Sequence, residues 1–132
     1  ELIPVCAALE AEIAQLGPEE GRAFLQELGM DEPALQKVIA AGLRLLNLIT
    51  FYTIKGPETR AWLLPRDTPA PRGAGQIHSD MERGFIKAEV VPWNVLVEEG
   101  SFAACREKGL LQVEGKDYLI QDGDVILFRF NV

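Results

Sequence analysis

The sequence predicts an α+β protein, with a helical first third over residues 1–46 and a compact mixed module over residues 47–132. Three observations predict it. Up to Leu46 the apolar residues recur at helical spacing and are interrupted only by single glycines and prolines. From Ile49 the chain turns β-branched and aromatic, with runs of period two. Between those runs lies a stretch dense in proline and glycine, "PRDTPAPRGAG", that punctuates regular structure.

The opening "LIPV" is short and apolar and reads as the end of a strand. Leu9, Ile13 and Leu16 then share one helical face, with Ala7, Ala8, Ala11 and Ala14 filling the turns, and Gly17 stops the helix. Pro18 opens a second helix, because a first-turn residue needs no donor partner. Glu19 and Glu20 favour its positive end, Phe24, Leu25 and Leu28 face inward, and Gly29 ends it. Asp31 has the side chain to cap a third helix, with Pro33 in its first turn and Leu35, Val38, Ile39, Leu43 and Leu46 keeping the period.

"ITFYTIK" and "TRAWLL" read as strands on either side of a Gly-Pro-Glu turn. A helix is predicted from about Gly75 through "IHSDMERG". In "FIKAEVV" Phe85, Lys87 and Glu89 alternate against Ile86, Ala88 and Val90 as a strand. Trp93 to Gly109 reads as one or two short helices and "LLQVEGKDYLI" as a hairpin across Glu114 to Lys116. "QDGD" is a turn before the terminal strand "VILFRFNV".

At 132 residues and 48% hydrophobic content the chain can bury one ordinary core. No apolar run approaches the roughly 18 residues of a membrane span, and the N-terminus lacks the basic-then-apolar order of a signal peptide. Cys6 and Cys105 are far apart, lack CxxC spacing and read as free thiols in a reducing cytoplasm. A net charge of -7 excludes a whole-molecule electrostatic grip on nucleic acid, so neither DNA nor membrane is expected as a partner. The charge is uneven: Lys55, Arg60, Arg66, Arg72, Arg83 and Lys87 outnumber the acids Glu58, Asp67, Asp80 and Glu82 in the same stretch.

The one histidine, His78, stands beside Ser79 and Asp80. Consecutive helical side chains point about 100° apart, so these three do not converge as a catalytic triad. His78 is expected to be architectural, bridging helix and sheet by hydrogen bonds. Asp122 and Asp124 flank Gly123 as an ordinary turn and lack the further ligands of a calcium loop. Neither GxxxxGK[ST] nor a GxGxxG after a strand occurs, so no catalytic residue, metal site or bound cofactor is predicted in this chain. Arg60, Arg66, Arg72, Arg83 and Lys87, interleaved with Trp62 and Phe85, fit two readings: a surface that tracks phosphates, or a solvated face over buried aromatics.

"IPVCAALEAEI", "TRAW", "APRGAGQIHSDMERGFIKAEVV" and "VEGKDYLIQDGDVILFRFNV" occur in that order and resemble the C-terminal part of the YchF, or Obg-like ATPase, family of P-loop NTPases. The resemblance spans essentially the whole chain, including the Phe-Asn-Val ending. It implies that residues 1–46 are the end of the G domain with a helical linker. Residues 47–132 would then be a TGS domain, a ubiquitin-like β-grasp fold. It also implies that Cys6, Ala7 and Ala8 stand at the Ser-Ala-Lys position, where the family's backbone approaches the nucleotide base. The phosphate loop, magnesium ligands and base-selecting residues of the family lie upstream. ATP, or GTP, and magnesium are therefore implied for the parent and not for this chain, which should be inactive alone.

The implied partners are the ribosome or RNA, docked on the TGS domain, and the protein's own G domain, whose hydrolysis the module would tune. The implied location is cytoplasmic. Two departures from the family pattern bear on any RNA footprint: Gly109-Leu110-Leu111 replaces a Gly-Lys-aromatic run, and Thr53 to Thr59, "TIKGPET", replaces a Thr-Ala-Gly opening.

Overall fold

The computed structural model describes residues 2–131. Glu1 and the last residue of the Phe-Asn-Val ending, Val132, lie outside that range. The chain forms two compact units, Glu1–Leu46 and Asn47–Val132.

The first unit is three helices: α1 (Ala7–Ile13), α2 (Pro18–Glu27) and α3 (Ala34–Leu45). The opening "LIPV" is not a strand here; no neighbouring strand is present among the described residues of this unit to satisfy its backbone. Pro18 sits in the first turn of α2, and Gly29 follows that helix with a φ of 68°, the left-handed conformation a helix end favours. Asp31 does not cap α3. Pro33 occupies the cap position, and the free N–H groups of Ala34 and Leu35 donate to the Glu10 carboxylate of α1, at 2.8 and 3.3 Å. A carboxylate at a helix N-terminus answers both the unpaired N–H groups and the positive end of the dipole. The buried side of these helices is made by Gly21, Leu25, Ala34 and Ala41, while Leu35, Val38, Ile39, Leu45 and Leu46 are exposed.

The second unit is built on one mixed five-stranded sheet: β1 (Leu48–Lys55), β2 (Glu58–Pro65), β3 (Phe85–Pro92), β4 (Gln112–Glu114) and β5 (Asp124–Phe130), in the order β2-β1-β5-β3-β4. β1 pairs antiparallel with β2 and parallel with β5, and β3 pairs antiparallel with both β5 and β4. One face carries Ile49, Phe51, Leu64, Ala88, Val90, Ile126 and Phe128, all buried. Phe51 meets Phe128 edge-on with centroids 6.0 Å apart.

Against this face lies α4 (Ala70–Ile77), followed by α5 (Ser79–Arg83). The helix therefore begins five residues before the predicted Gly75, inside the proline-glycine run. Pro69 is the cap residue and Pro71 falls in the first turn, where a missing N–H costs nothing. Ala70, Gly73 and Ala74 are buried, and a methyl group at Gly73 would run into the Ile120 side chain. Small residues at i, i+3 and i+4 let the helix press onto the sheet, and they leave no large apolar stripe for a periodicity search to find.

Three further expectations give way to tertiary constraints. His78 does not bridge helix and sheet. Its backbone is extended (φ -161°, ψ 139°), breaking the helix in two, and its Nδ1 accepts from the Asp80 N–H at 3.1 Å as the cap of α5. A register shift between Phe85 and Lys87 changes the phase of β3, so Ile86 is exposed while Phe85, Ala88 and Val90 share the core face. The hairpin across Glu114 to Lys116 is absent: β4 pairs only with β3. Residues 118–120 pair instead with the start of α4, where Ala70 N–H donates to the Tyr118 carbonyl at 2.8 Å and Ile120 N–H to the Thr68 carbonyl at 3.0 Å.

The opposite sheet face is partly covered by α6 (Trp93–Glu99) and α7 (Phe102–Glu107), over the buried Val91 and Val125. The "QDGD" turn ties it together. Asp122 accepts from Thr50 N–H at 2.8 Å, Gly123 has a φ of 88°, and Trp93 Cδ1 lies 2.7 Å from where a Cβ on Gly123 would sit. No helix among the described residues is long and apolar enough to cross a membrane.

Candidate functional site

The cationic residues singled out from the sequence divide between the two faces of the sheet. Arg60 lies on the helix-covered face beyond Trp62, pairs with Glu58 at 2.8 Å, and lines a groove of about 220 Å³ with Thr53, Lys55 and Ile77. Trp62 is half-buried there, stacks near Phe51 and donates its Nε1–H to Thr53 Oγ1 at 2.9 Å. Arg66 follows the far end of β2, six residues and roughly 20 Å of strand from Arg60. Arg72 projects from α4, and Arg83 from α5 is paired with Asp80. Lys87 is on the other face altogether.

There Lys87 joins two arginines that local charge reading did not group with it. Arg106, on α7, donates to Glu89 Oε2 at 2.8 Å, and Arg129, on β5, donates to the same oxygen at 3.2 Å and to Oε1 at 3.3 Å. Lys87 Nζ stands 3.9 Å from Oε1. The Glu89 side chain is 8% exposed, whereas Arg106, Arg129 and Lys87 keep 57%, 47% and 45% of theirs in solvent.

The sequence cause is the strand period. Lys87 and Glu89 alternate onto one face of β3, and the β3–β5 register sets Arg129 directly opposite Lys87. Burial pushes the Glu89 carboxyl up. The hydrogen bond from Arg129 and the charges of Arg129, Arg106 and Lys87 outweigh that and hold it below its ordinary value. Three cations on one anion leave this spot with a local excess of positive charge, although the second unit as a whole carries 10 basic against 12 acidic residues.

On the core face the buried polar pair is of a different kind. Tyr118 O–H donates to Asp124 Oδ2 at 2.7 Å, and Gln121 N–H donates to the same oxygen at 2.9 Å. Burial raises the Asp124 carboxyl, partly offset by these two bonds. Burial, the bond to Asp124 and its charge, and the charge of Glu114 push the Tyr118 hydroxyl well above its ordinary value. Both groups are satisfied and inward-facing, so their work is structural.

In the first unit Cys6 is the exposed cap residue of α1, with no side-chain capping bond, and Ala7 and Ala8 are exposed at the start of the helix. Cys6 and Cys105 are free thiols, the second buried. No group of three or more His, Cys, Asp or Glu side chains suited to a metal ion occurs among the described residues.

Mixed sheet and exposed cation cluster together define an α+β module that offers a shaped, charged surface. Residues 48–131 match the family model YchF-GTPase_C, described as a protein of unknown function (DUF933). The chain belongs to that family, and it matches the C-terminal region of its relatives. It is 50% identical over 131 residues to the "Ribosome-binding ATPase YchF" of Pasteurella multocida, and 50% identical over 132 residues to the protein of the same name in Bacillus subtilis. Those alignments cover 99% and 100% of this chain but 36% of each relative, so the chain spans about a third of the length of the curated relatives it matches. Among solved structures it is similar to the Schizosaccharomyces pombe YchF GTPase, with a TM-score of 0.81 and 32% identity over 97% of this chain and 34% of that one.

Proposed function

We propose that this chain is the C-terminal part of a ribosome-associated nucleotide hydrolase and that residues 47–132 are a β-grasp TGS domain serving as its docking module. The observation that carries the reading is the 50% identity, over nearly the whole chain, to proteins named for ribosome binding and ATP hydrolysis. The strand order β2-β1-β5-β3-β4, with a helix laid across one face after the first hairpin, supports the β-grasp assignment. Residues 1–46 are read as the end of the G domain and its linker.

Cys6, Ala7 and Ala8, exposed at the opening of α1, are the positions that would border the base in the parent. The residues present do not fit a nucleotide or magnesium site by themselves. The chain has no glycine-rich phosphate loop, and its described residues contain no metal-ligating cluster. Hydrolysis of ATP or GTP therefore belongs to the parent, in the cytoplasm, and this chain supplies binding.

The test is sedimentation of the 132-residue chain with purified ribosomes through a dense cushion. It should pellet with them at low salt and be released as salt rises. A chain that stays in the supernatant at low salt refutes docking through this region.

A second reading has its own observation. Tyr52, Ile54, Trp93, Leu96, Val97 and Val125 line an apolar groove of about 290 Å³ on the sheet face opposite α4, a shape suited to packing against the parent's own G domain and tuning its turnover. Under that reading, removing residues 47–132 from the parent changes its ATP turnover. Under docking alone, turnover without ribosomes stays the same.

A further inference from the structure

We propose that the free edge of β2 binds an extended peptide segment of a partner protein by strand addition, with an apolar residue of the peptide beside Trp62 and an acidic one beside Arg60. The inference goes beyond the docking reading and does not depend on it.

The register fixes which backbone groups are free. Arg66 N–H donates to the Asn47 carbonyl at 2.8 Å, so that pair, and every second pair after it along the β1–β2 ladder, is hydrogen-bonded. Arg60, Trp62 and Leu64 therefore turn their N–H and carbonyl groups towards β1, and Thr59, Ala61 and Leu63 turn theirs outward. The other side of β1 agrees. Thr50, opposite Leu63, gives its N–H to Asp122 and accepts from Gly123 N–H, both away from β2. Three exposed residues, about 7 Å apart, thus present N–H and carbonyl groups with no partner among the described residues.

Sheet edges are ordinarily blunted by brevity, by lysine or proline, or by a bulge. The opposite edge, β4, has three residues. β2 has eight, pairs with β1 in unbroken register, and reads Ala-Trp-Leu-Leu over residues 61–64. Its prolines stand only at the ends. Pro57 lies in the turn before the strand, and Pro65 closes it with a carbonyl that accepts from the Thr68 hydroxyl. Between them the edge is open to another strand.

The side chains decide which strand fits. Arg60 and Trp62 point to the α4 side and line the groove of about 220 Å³ with Lys55 and Ile77. A residue opposite Trp62 meets the indole and Ile77, which favours an apolar side chain. One opposite Arg60 meets a guanidinium paired with Glu58, and that pair keeps 61% and 55% of its side chains in solvent, so it is exchanged at little cost. Lys55 stands directly opposite Glu58 with no ion pair of its own among the described residues. It can take Glu58 when an incoming carboxylate takes Arg60. On the opposite side Ala61 and Leu63 are exposed and suit apolar neighbours. A second copy of β2 fits less well, because antiparallel pairing about Ala61 makes the two Arg60 side chains diagonal neighbours of like charge.

The experiment titrates an end-blocked, fluorescein-labelled peptide, Thr-Thr-Val-Val-Val-Glu-Thr, with the 132-residue chain and follows anisotropy. Run antiparallel to β2, the more stable pairing, it sets its middle valine opposite Trp62 and its glutamate opposite Arg60. Saturable binding is expected. N-methylation of its third or fifth residue, whose N–H groups face β2, should weaken binding about tenfold, whereas N-methylation of the middle valine or the glutamate, whose N–H groups face away, should leave it unchanged. Ala61→Pro removes one outward N–H and none that β1 uses, and should weaken binding several-fold while the thermal melt shows the fold retained. Arg60→Glu should also weaken it several-fold, and exchanging the peptide's glutamate for lysine should restore affinity for that variant.

Binding that is indifferent to the position of N-methylation, or to Ala61→Pro, overturns strand addition. A chain that pellets with ribosomes but ignores the peptide overturns it and leaves docking intact, and a chain that takes the peptide but ignores ribosomes does the reverse. A chain that ignores the peptide and sediments as a dimer dissociated by Ala61→Pro marks the edge as a contact between copies and overturns the partner peptide.

Discussion

The two faces of the sheet solve opposite problems. On the α4 side, Ile49, Phe51, Leu64, Val90 and Ile126 are 0 to 1% exposed, and small helix residues close the gap, so the face is dry and stabilised by apolar burial. On the other side, beyond α6 and α7, Glu89 is the well-buried charge among the described residues, and around it three cations keep their heads partly in water. Removing a group from the first face should therefore cost much folding stability, whereas removing one from the second should cost little.

The harshest way to break that comparison is Phe51→Ala. Phe51 is fully buried between Trp62 and Phe128, and the cavity left behind should cost about 3–5 kcal/mol in urea unfolding. A loss below about 1 kcal/mol would mean the dry face is not the core.

A smaller effect is expected for Tyr118→Phe, which leaves the buried Asp124 carboxylate with only the Gln121 N–H and should cost about 1–3 kcal/mol at neutral pH. Its pH dependence sharpens the assignment. The Tyr118 hydroxyl is raised in the folded state, so its contribution is complete below the ordinary tyrosine value of about 10 and is lost as pH rises beyond it. The wild-type chain should therefore lose stability above about pH 10 more steeply than the phenylalanine variant. Parallel curves would remove the tyrosine from the network.

The smallest effect belongs to the wet face. Glu89→Gln should cost only about 1 kcal/mol at neutral pH, because the half-exposed arginines return to water when the charge is lost. Glu89 is held below its ordinary value, so its contribution is present above about pH 4.3 and disappears as the pH falls through the depressed folded value. The difference between wild type and variant should thus vanish in acid. A difference that persists there would mean Glu89 matters for packing and not for charge.

Much of the fold could be read along the chain, and its failures are specific. The β1–β2 hairpin follows from two β-branched runs around Gly56-Pro57, and α6 and α7 fall inside the span predicted for them. α4 starts early because its inward face is Ala70, Gly73 and Ala74, which carry no hydropathy signal. His78 is architectural, as its crowded neighbours imply, but it acts on the helix that follows it, through a bond two residues away, and not on the sheet.

The candidate site was half legible. Lys87 and Glu89 are visible as one strand face, while Arg106 lies 17 residues from Glu89 and Arg129 lies 40, and neither distance leaves a local pattern. A charge tally over residues 55–87 gathers Arg60, Arg66 and Arg72 with Lys87, although strand alternation puts Arg60 and Lys87 on opposite sides of the sheet.

Local pattern was enough to mark the helical and mixed parts, most elements, the family and the lack of a phosphate loop, because each rests on neighbours within one turn, one strand or one motif. It took the packed fold to show that Glu10 caps a helix 24 residues away, that a shift near Phe85 turns Ile86 outward, and that one carboxylate collects three cations. Those outcomes depend on strand register and helix placement, which are set by the global fit of apolar surfaces and are not encoded in any short stretch of chain.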